Sequence, residues 1–130
     1  MSNQQMIRLM RQGYEAFQQG DLETIGDLLA GDIIYHVPGR SPLAQDYLGK
    51  AAVFGFWARQ HGLTNGHFRL EVVDLCATDN YGFARVIVHA QRNGQSITAP
   101  GVNVMRFREG KIAEFWSYTE DQYALDTFWS

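Results

Sequence analysis

Tyr14, Asn103, His36 and Asp74 are the side chains whose types and settings suit proton-transfer chemistry on a carbonyl compound. A tyrosine hydroxyl and an asparagine amide both donate hydrogen bonds, so together they can polarise an oxygen and hold charge developing on it. An imidazole or a carboxylate would then move the proton, imidazole most readily near neutral pH. Each residue also has a plainer reading. Tyr14 faces inward by helical phase, as a core tyrosine with a satisfied hydroxyl would too. Asn103 sits among apolar strand neighbours, where a buried amide needs partners from a ligand or from the protein. Strict alternation turns His36 away from the face of Val37, so His36 reaches the interior only through a bulge before Pro38. Asp74 lies between Val72 and Cys76, on a face that the Asp79-Asn80 turn leaves undecided; an ordinary solvated aspartate is its alternative.

The face of Asn103 rests on two hairpins. Asn93-Gly94 signals a two-residue type I′ loop, which pairs Ala90 with Ile97, Val88 with Ala99, Val86 with Gly101 and Ala84 with Asn103. The second turn reads as a three-residue loop, Arg108-Glu109-Gly110, with a G1 bulge. It groups Gly101, Asn103, Met105, Phe107, Ala113, Phe115, Ser117 and Thr119 on one largely apolar face. Val102, Val104, Arg106, Ile112, Glu114, Trp116 and Tyr118 take the other, which also carries Arg85, Ile87, His89 and Gln91. The first face lines something apolar.

Around these strands the chain supplies helices. Ser2 to Gln5 has the capping-box form, and Met6, Met10, Tyr14 and Phe17 recur at helical spacing up to Gly20. Asp21 caps a second helix with Leu22, Ile25, Leu28 and Leu29 on its apolar face, ended by Gly31. Ile33 to Val37 reads as a short strand, and the Pro-, Gly- and Ser-rich run from Pro38 to Gly49 as a surface loop over the mouth of the fold. A third helix follows Gly49, presenting Val53, Phe56, Trp57 and Gln60. Long strands follow near 67–78, 81–92, 95–107 and 111–119, then a last helix with Tyr123, Leu125, Phe128 and Trp129. This order predicts one α+β domain over residues 1–130, its helices segregated to one face of a curved, mostly antiparallel sheet that leaves a closed-ended cone. Phe17, Tyr35, Val37, Trp57, Val86, Val88, Met105, Phe115 and Ser117 are the expected pocket lining.

Apolar residues make up 45% of the 130 and charged residues 19%, which fits a globular domain and excludes disorder. A net charge of −3 without a long basic block argues against a nucleic-acid partner. Cys76 is the sole cysteine, read as a small core residue, and no signal-peptide core or membrane span is evident, so a cytoplasmic location is expected. His61, His67 and His89 have no metal-ligand spacing, and no cofactor is expected.

The segments YEAFQQGDLETIGDLLAGDIIYHVPG, YLGKAAVFGFW and VNVMRFREGKIAEFWSYTEDQYALDTFW resemble the nuclear-transport-factor-two-like superfamily, in particular its SnoaL-like and ketosteroid-isomerase-like members. The resemblance covers nearly the whole chain. It implies a cone with a deep apolar pocket and a homodimer formed through the outer sheet face. In the isomerases a carboxylate base works opposite a tyrosine and a protonated aspartate. The likeness places Tyr14 on that tyrosine and Asn103 on that aspartate, but puts Val37 at the base, with His36 beside it. The imidazole and carboxylate of the cyclases fall on Phe115 and Ser117, and the epoxide-hydrolase set fails because Arg85 and Arg106 face outward. Two functions therefore stand at this stage. One is an enzyme that isomerises, cyclises or hydrates a small, apolar, cyclic carbonyl compound, with His36 or Asp74 shuttling the proton. The other is a non-catalytic, dimeric binding domain.

Overall fold

The computed structural model describes all 130 residues. Helix α1 spans Asn3–Gln19, with Ser2 and Gln5 bonded reciprocally as its capping box and Gly20 closing it in the left-handed region at φ 71°. Helix α2, Leu22–Leu28, is capped by the Asp21 carboxylate, which accepts from the Thr24 N–H. Strand β1 (Leu29–Val37) leads through β2 (Gln45–Leu48) into α3 (Lys50–Leu63). A meander of β3 (Phe68–Thr78), β4 (Tyr81–Arg92), β5 (Gln95–Arg108) and β6 (Lys111–Thr119) then ends in α4 (Gln122–Trp129). The six strands form one open sheet in the order β2-β1-β6-β5-β4-β3, antiparallel except where β1 runs parallel to β6. None of the helices is long and apolar enough to cross a membrane.

The Asn93-Gly94 loop has both residues at positive φ, and the β4–β5 pairing is the one that a type I′ turn dictates. The second hairpin corrects the sequence reading. Glu109 and Gly110 are both at positive φ and Arg108 pairs with Lys111, so this loop too has only two residues. A bulge at Ala113, between the Phe107–Ile112 and Arg106–Glu114 pairs, then restores the expected faces in a register two residues further along β6, with Met105 opposite Phe115 and Asn103 opposite Ser117. The extra residue lets both Ile112 and Ala113 be buried, so Ile112 belongs to the core and not to the outer face.

Other expectations also shift. Helix α2 stops three residues before Gly31, because Leu29 is already extended and pairs with Ile112. The segment after Pro38 is not a plain surface loop. It carries β2, whose Tyr47 pairs with Tyr35, and it buries Leu43 completely. Its backbone is tied down locally: the Tyr47 hydroxyl donates to the Leu43 carbonyl at 2.7 Å and the Leu43 N–H donates to the Ser41 hydroxyl at 3.2 Å. Cys76 is exposed, and so is Tyr123 of α4. The core joins Met6 and Met10 of α1 to Ile33, Val53, Phe56, Met105 and Phe107 on the inner side of the sheet.

Candidate functional site

A cavity of about 140 Å³ lies between the helices and the concave sheet face. Of its 32 lining residues 22 are hydrophobic, so an occupant must be mostly apolar. An apolar cavity of about 150 Å³ holds benzene, which sizes the enclosed part for one ring with small substituents. Phe17, Tyr35, Val37, Trp57, Val86, Val88, Met105, Phe115 and Ser117 all lie on its wall, together with Tyr14 and Asn103. Pairing of β1 with β6 stacks Tyr35 flat on Phe115 at 4.3 Å, and Trp57 meets both Tyr35 and Phe17 edge-on. That aromatic wall comes from three separate elements, α1, α3 and the β1–β6 pair.

Two polar side chains of the wall meet each other. Register puts Asn103 on the inner face of β5, and helical phase brings Tyr14 of α1 over it. The Asn103 amide donates to the Tyr14 hydroxyl at 2.9 Å. Ser117 is the cross-strand neighbour of Asn103. The amide and the hydroxyl carry three polar hydrogens between them, and their mutual bond uses one. Whichever way the amide is turned, two hydrogens are left without a protein acceptor beside the cavity. Burial pushes the Tyr14 hydroxyl well above its usual pKa, an effect that the Asn103 bond opposes only in part. Burial likewise raises Tyr35 to about 12, with the Trp57 indole acting against it. Both tyrosines therefore stay neutral and can donate.

The two expected proton carriers are elsewhere. His36 sits on the outer face, stacked on Trp116, with Nδ1 2.7 Å from Asp46 and Nε2 2.6 Å from Glu114. No bulge re-aims it: β1 pairs in simple alternation from Ile34 to Val37. Asp74 is exposed because Val73 is bulged out of β3, which places Asp74 opposite the outward Arg85. Its carboxylate accepts from the Leu75 N–H instead of meeting the cavity. The structure thus brings Tyr14 and Asn103 together and separates His36 and Asp74 from them. What the sequence reading missed is Asp126 of α4, the one acidic side chain on the cavity wall. Its spacing of four from Gln122 and three from Trp129, both also lining the cavity, was the available signal.

Ionised carboxylates only accept, so two short carboxylate contacts require both His36 nitrogens to carry protons. Partial burial disfavours the imidazolium, but the bonds to Glu114 and Asp46 and their charges outweigh it and hold the His36 pKa above its usual value. Glu114 is also bonded to Arg106 at 3.3 Å, completing an alternating-charge row across β2, β1, β6 and β5. A raised folded pKa gives stability that is fully present below the unfolded value, about 6.5, and lost as pH rises through the folded one. Thermal melts of the wild-type chain and of His36→Gln should accordingly differ most at pH 5.5–6.5 and converge as pH rises to 9. A gap that stays constant with pH would show that His36 contributes packing on Trp116 and no charge.

An open curved sheet wrapped on helices around an apolar cavity is the α+β cone of nuclear-transport-factor-two-like proteins. One such protein from Burkholderia pseudomallei, of unknown function, superimposes with a TM-score of 0.83 at 24% identity, covering 100% of this chain and 99% of that one. The chain belongs to the SnoaL-like domain family, whose model matches residues 10–115. It is also similar to Bal32a from a soil-derived mobile gene cassette, with a TM-score of 0.95, 29% identity and 98% of both chains covered. A Xanthomonas campestris protein of unknown function with a cystatin-like fold aligns with a TM-score of 0.89 at 28% identity, over 95% of this chain and 97% of its own.

Proposed function

We propose that this protein binds a small, mostly apolar, cyclic carbonyl compound, with the compound's oxygen held by the Tyr14–Asn103 pair. The observation that carries the reading is the pair of unspent polar hydrogens at the wall of an otherwise apolar cavity. A carbonyl oxygen accepts both, and its ring fills the space between Tyr35, Trp57 and Met105. Binding is preferred to proton-transfer catalysis because His36 and Asp74, the bases on which catalysis depended, face outward.

Acetophenone, a single ring with one carbonyl, is a suitable probe. Titrated by NMR, it should bind the wild-type chain, and Tyr14→Phe should weaken it about fivefold, the worth of one hydrogen bond near 1 kcal/mol. Equal affinity for the two proteins, or no binding to either, would sink the proposal.

A homodimer formed through the outer sheet face is part of the same reading. Tyr81, Val102 and Tyr118 are exposed there beside Trp116, an apolar grouping of the kind that a twofold contact covers. Light scattering at micromolar concentration should give twice the chain mass, and Tyr118→Lys should shift it toward the monomer. A wild-type monomer at that concentration is the contrary result.

A further inference from the structure

Asp126 is the only residue with a formal charge on the cavity wall, where no lysine, arginine, histidine or second acid accompanies it. It takes part in no ion pair, although the chain forms five others. Its partners are neutral: Oδ1 accepts from the Gln122 side-chain amide at 2.9 Å and Oδ2 from the Arg40 backbone N–H at 3.1 Å. A carboxylate offers about four acceptor sites, so roughly two stay unused. The carboxylate is also built into the mouth of the cavity. Gly39 holds φ 105°, and a side chain there would collide with the Asp126 and Gln122 side chains, so the backbone from Pro38 to Arg40 lies directly on the carboxylate. Asp126 is half-buried at this mouth, so the acceptor sites that the protein leaves open are reachable both from the cavity and from water.

The cavity is thus polarised in one direction. Hydrogen-bond donors are left over at Tyr14 and Asn103, and acceptor capacity is left over at Asp126. We propose that Asp126 is a second recognition point, which reads a hydroxyl or amine hydrogen on the ligand, remote from its carbonyl. The ligand class is then a ring that carries a carbonyl acceptor at one position and an O–H or N–H donor at another. This inference rests on the carbonyl-binding reading, and it adds a residue and a functional group that Tyr14 and Asn103 do not require. Leu125 and Trp129 of the same helix hold the ring edge between the two points.

The test is a ratio of affinities. Acetophenone is compared with its 3′-hydroxy, 4′-hydroxy and 4′-amino derivatives by NMR titration against the wild-type chain, Asp126→Ala and the nearly isosteric Asp126→Asn. At least one derivative should bind the wild-type chain about tenfold or more tighter than acetophenone, as expected for a hydrogen bond to a charged group. That preference should fall to about one in Asp126→Ala. The asparagine, which keeps the shape and one acceptor, serves if the alanine variant does not fold, and it should lose most of the preference. A hydroxyl response without an amine response, or the reverse, identifies which donor is read, and either supports the proposal. A wild-type ratio near one for every derivative overturns it. So does an Asp126→Ala change that weakens all probes by one common factor, since that is the behaviour of a loop clamp. If acetophenone binds and responds to Tyr14→Phe while the derivatives gain nothing, only the role of Asp126 fails; if acetophenone does not bind at all, both readings fail.

Discussion

Gly101→Ala is expected to destabilise the fold by about 3 kcal/mol, near the upper end of what overpacking a close contact costs. For a domain of this size that is a fall of roughly 10 °C in melting temperature. Gly101 lies on the cavity side of β5, between Val86 of β4 and Thr119 of β6. A Cβ there would penetrate the Tyr118 carbonyl oxygen and press on the Thr119 Cα. Both obstacles are backbone, and they are pinned, because the Pro100 carbonyl accepts from the Glu120 N–H at 2.8 Å next door. Nothing flexible can move aside, so the strands must part where the sheet bends round the cavity. Gly82→Ala is the informative contrast. Its Cβ would meet the Met10 thioether and the Phe107 ring, and a methionine side chain can re-route, so about 1 kcal/mol is expected. Urea unfolding with a common m-value measures both. A Gly101→Ala loss no greater than that of Gly82→Ala would mean that β5 and β6 can part at this point at little cost.

The meander was legible in the sequence because local chemistry fixes it. Asn93-Gly94 can hardly be anything but a two-residue turn, and one correct turn assigns a face to every residue from Ala84 to Asn103. That turned Asn103 inward, as helical phase turned Tyr14 inward, and the resemblance to the isomerases set the two together. The bulge at Ala113 was not legible. A three-residue turn would pair Met105 with Ala113, two residues short of its observed partner Phe115, and a shift of two leaves every side chain on the same face, so the wrong turn still led to the right faces. Only Ile112 betrays the difference.

The losses have a common cause, which is long-range pairing that no local pattern announces. Leu29 leaves its helical phase for β6, more than eighty residues away, and β2 exists only as a partner for β1. His36 and Asp74 show the same limit on the site. Alternation already turned His36 outward, and the bulge needed to rescue it is absent. A bulge did form where none was foreseen, at Val73, and it sent Asp74 to the solvent. Asp126 escaped notice because the apolar repeat Leu125, Phe128 and Trp129 accounts for the inward side of α4 by itself, while the Pro38–Arg40 backbone that holds the carboxylate is more than eighty residues away.

Leu43→Ala puts the largest of these corrections to a quantitative test. Were residues 38–49 a surface loop, the substitution would change stability by less than about 0.5 kcal/mol, as at most exposed sites. Leu43 is instead fully buried and forms part of the cavity wall, so a loss of about 3 kcal/mol is expected, within the usual range for a core leucine. Leu48, five residues on in the same segment, is 66% exposed, and Leu48→Ala should stay within about 0.5 kcal/mol. The pair separates burial from mere membership of the segment. There is a second consequence. The space vacated by Leu43 joins an existing cavity instead of opening a sealed void, so water can enter and the wall has less reason to collapse onto it. The chain should therefore pay for the lost methyl groups nearly in full while the pocket becomes wider and wetter at its mouth. Acetophenone, sized for one ring, should bind Leu43→Ala more weakly than wild type, whereas Leu48→Ala should bind it unchanged. A stability loss at Leu43 with undiminished binding would assign the residue to the core alone and move the working boundary of the pocket inward, to Tyr35 and Phe56.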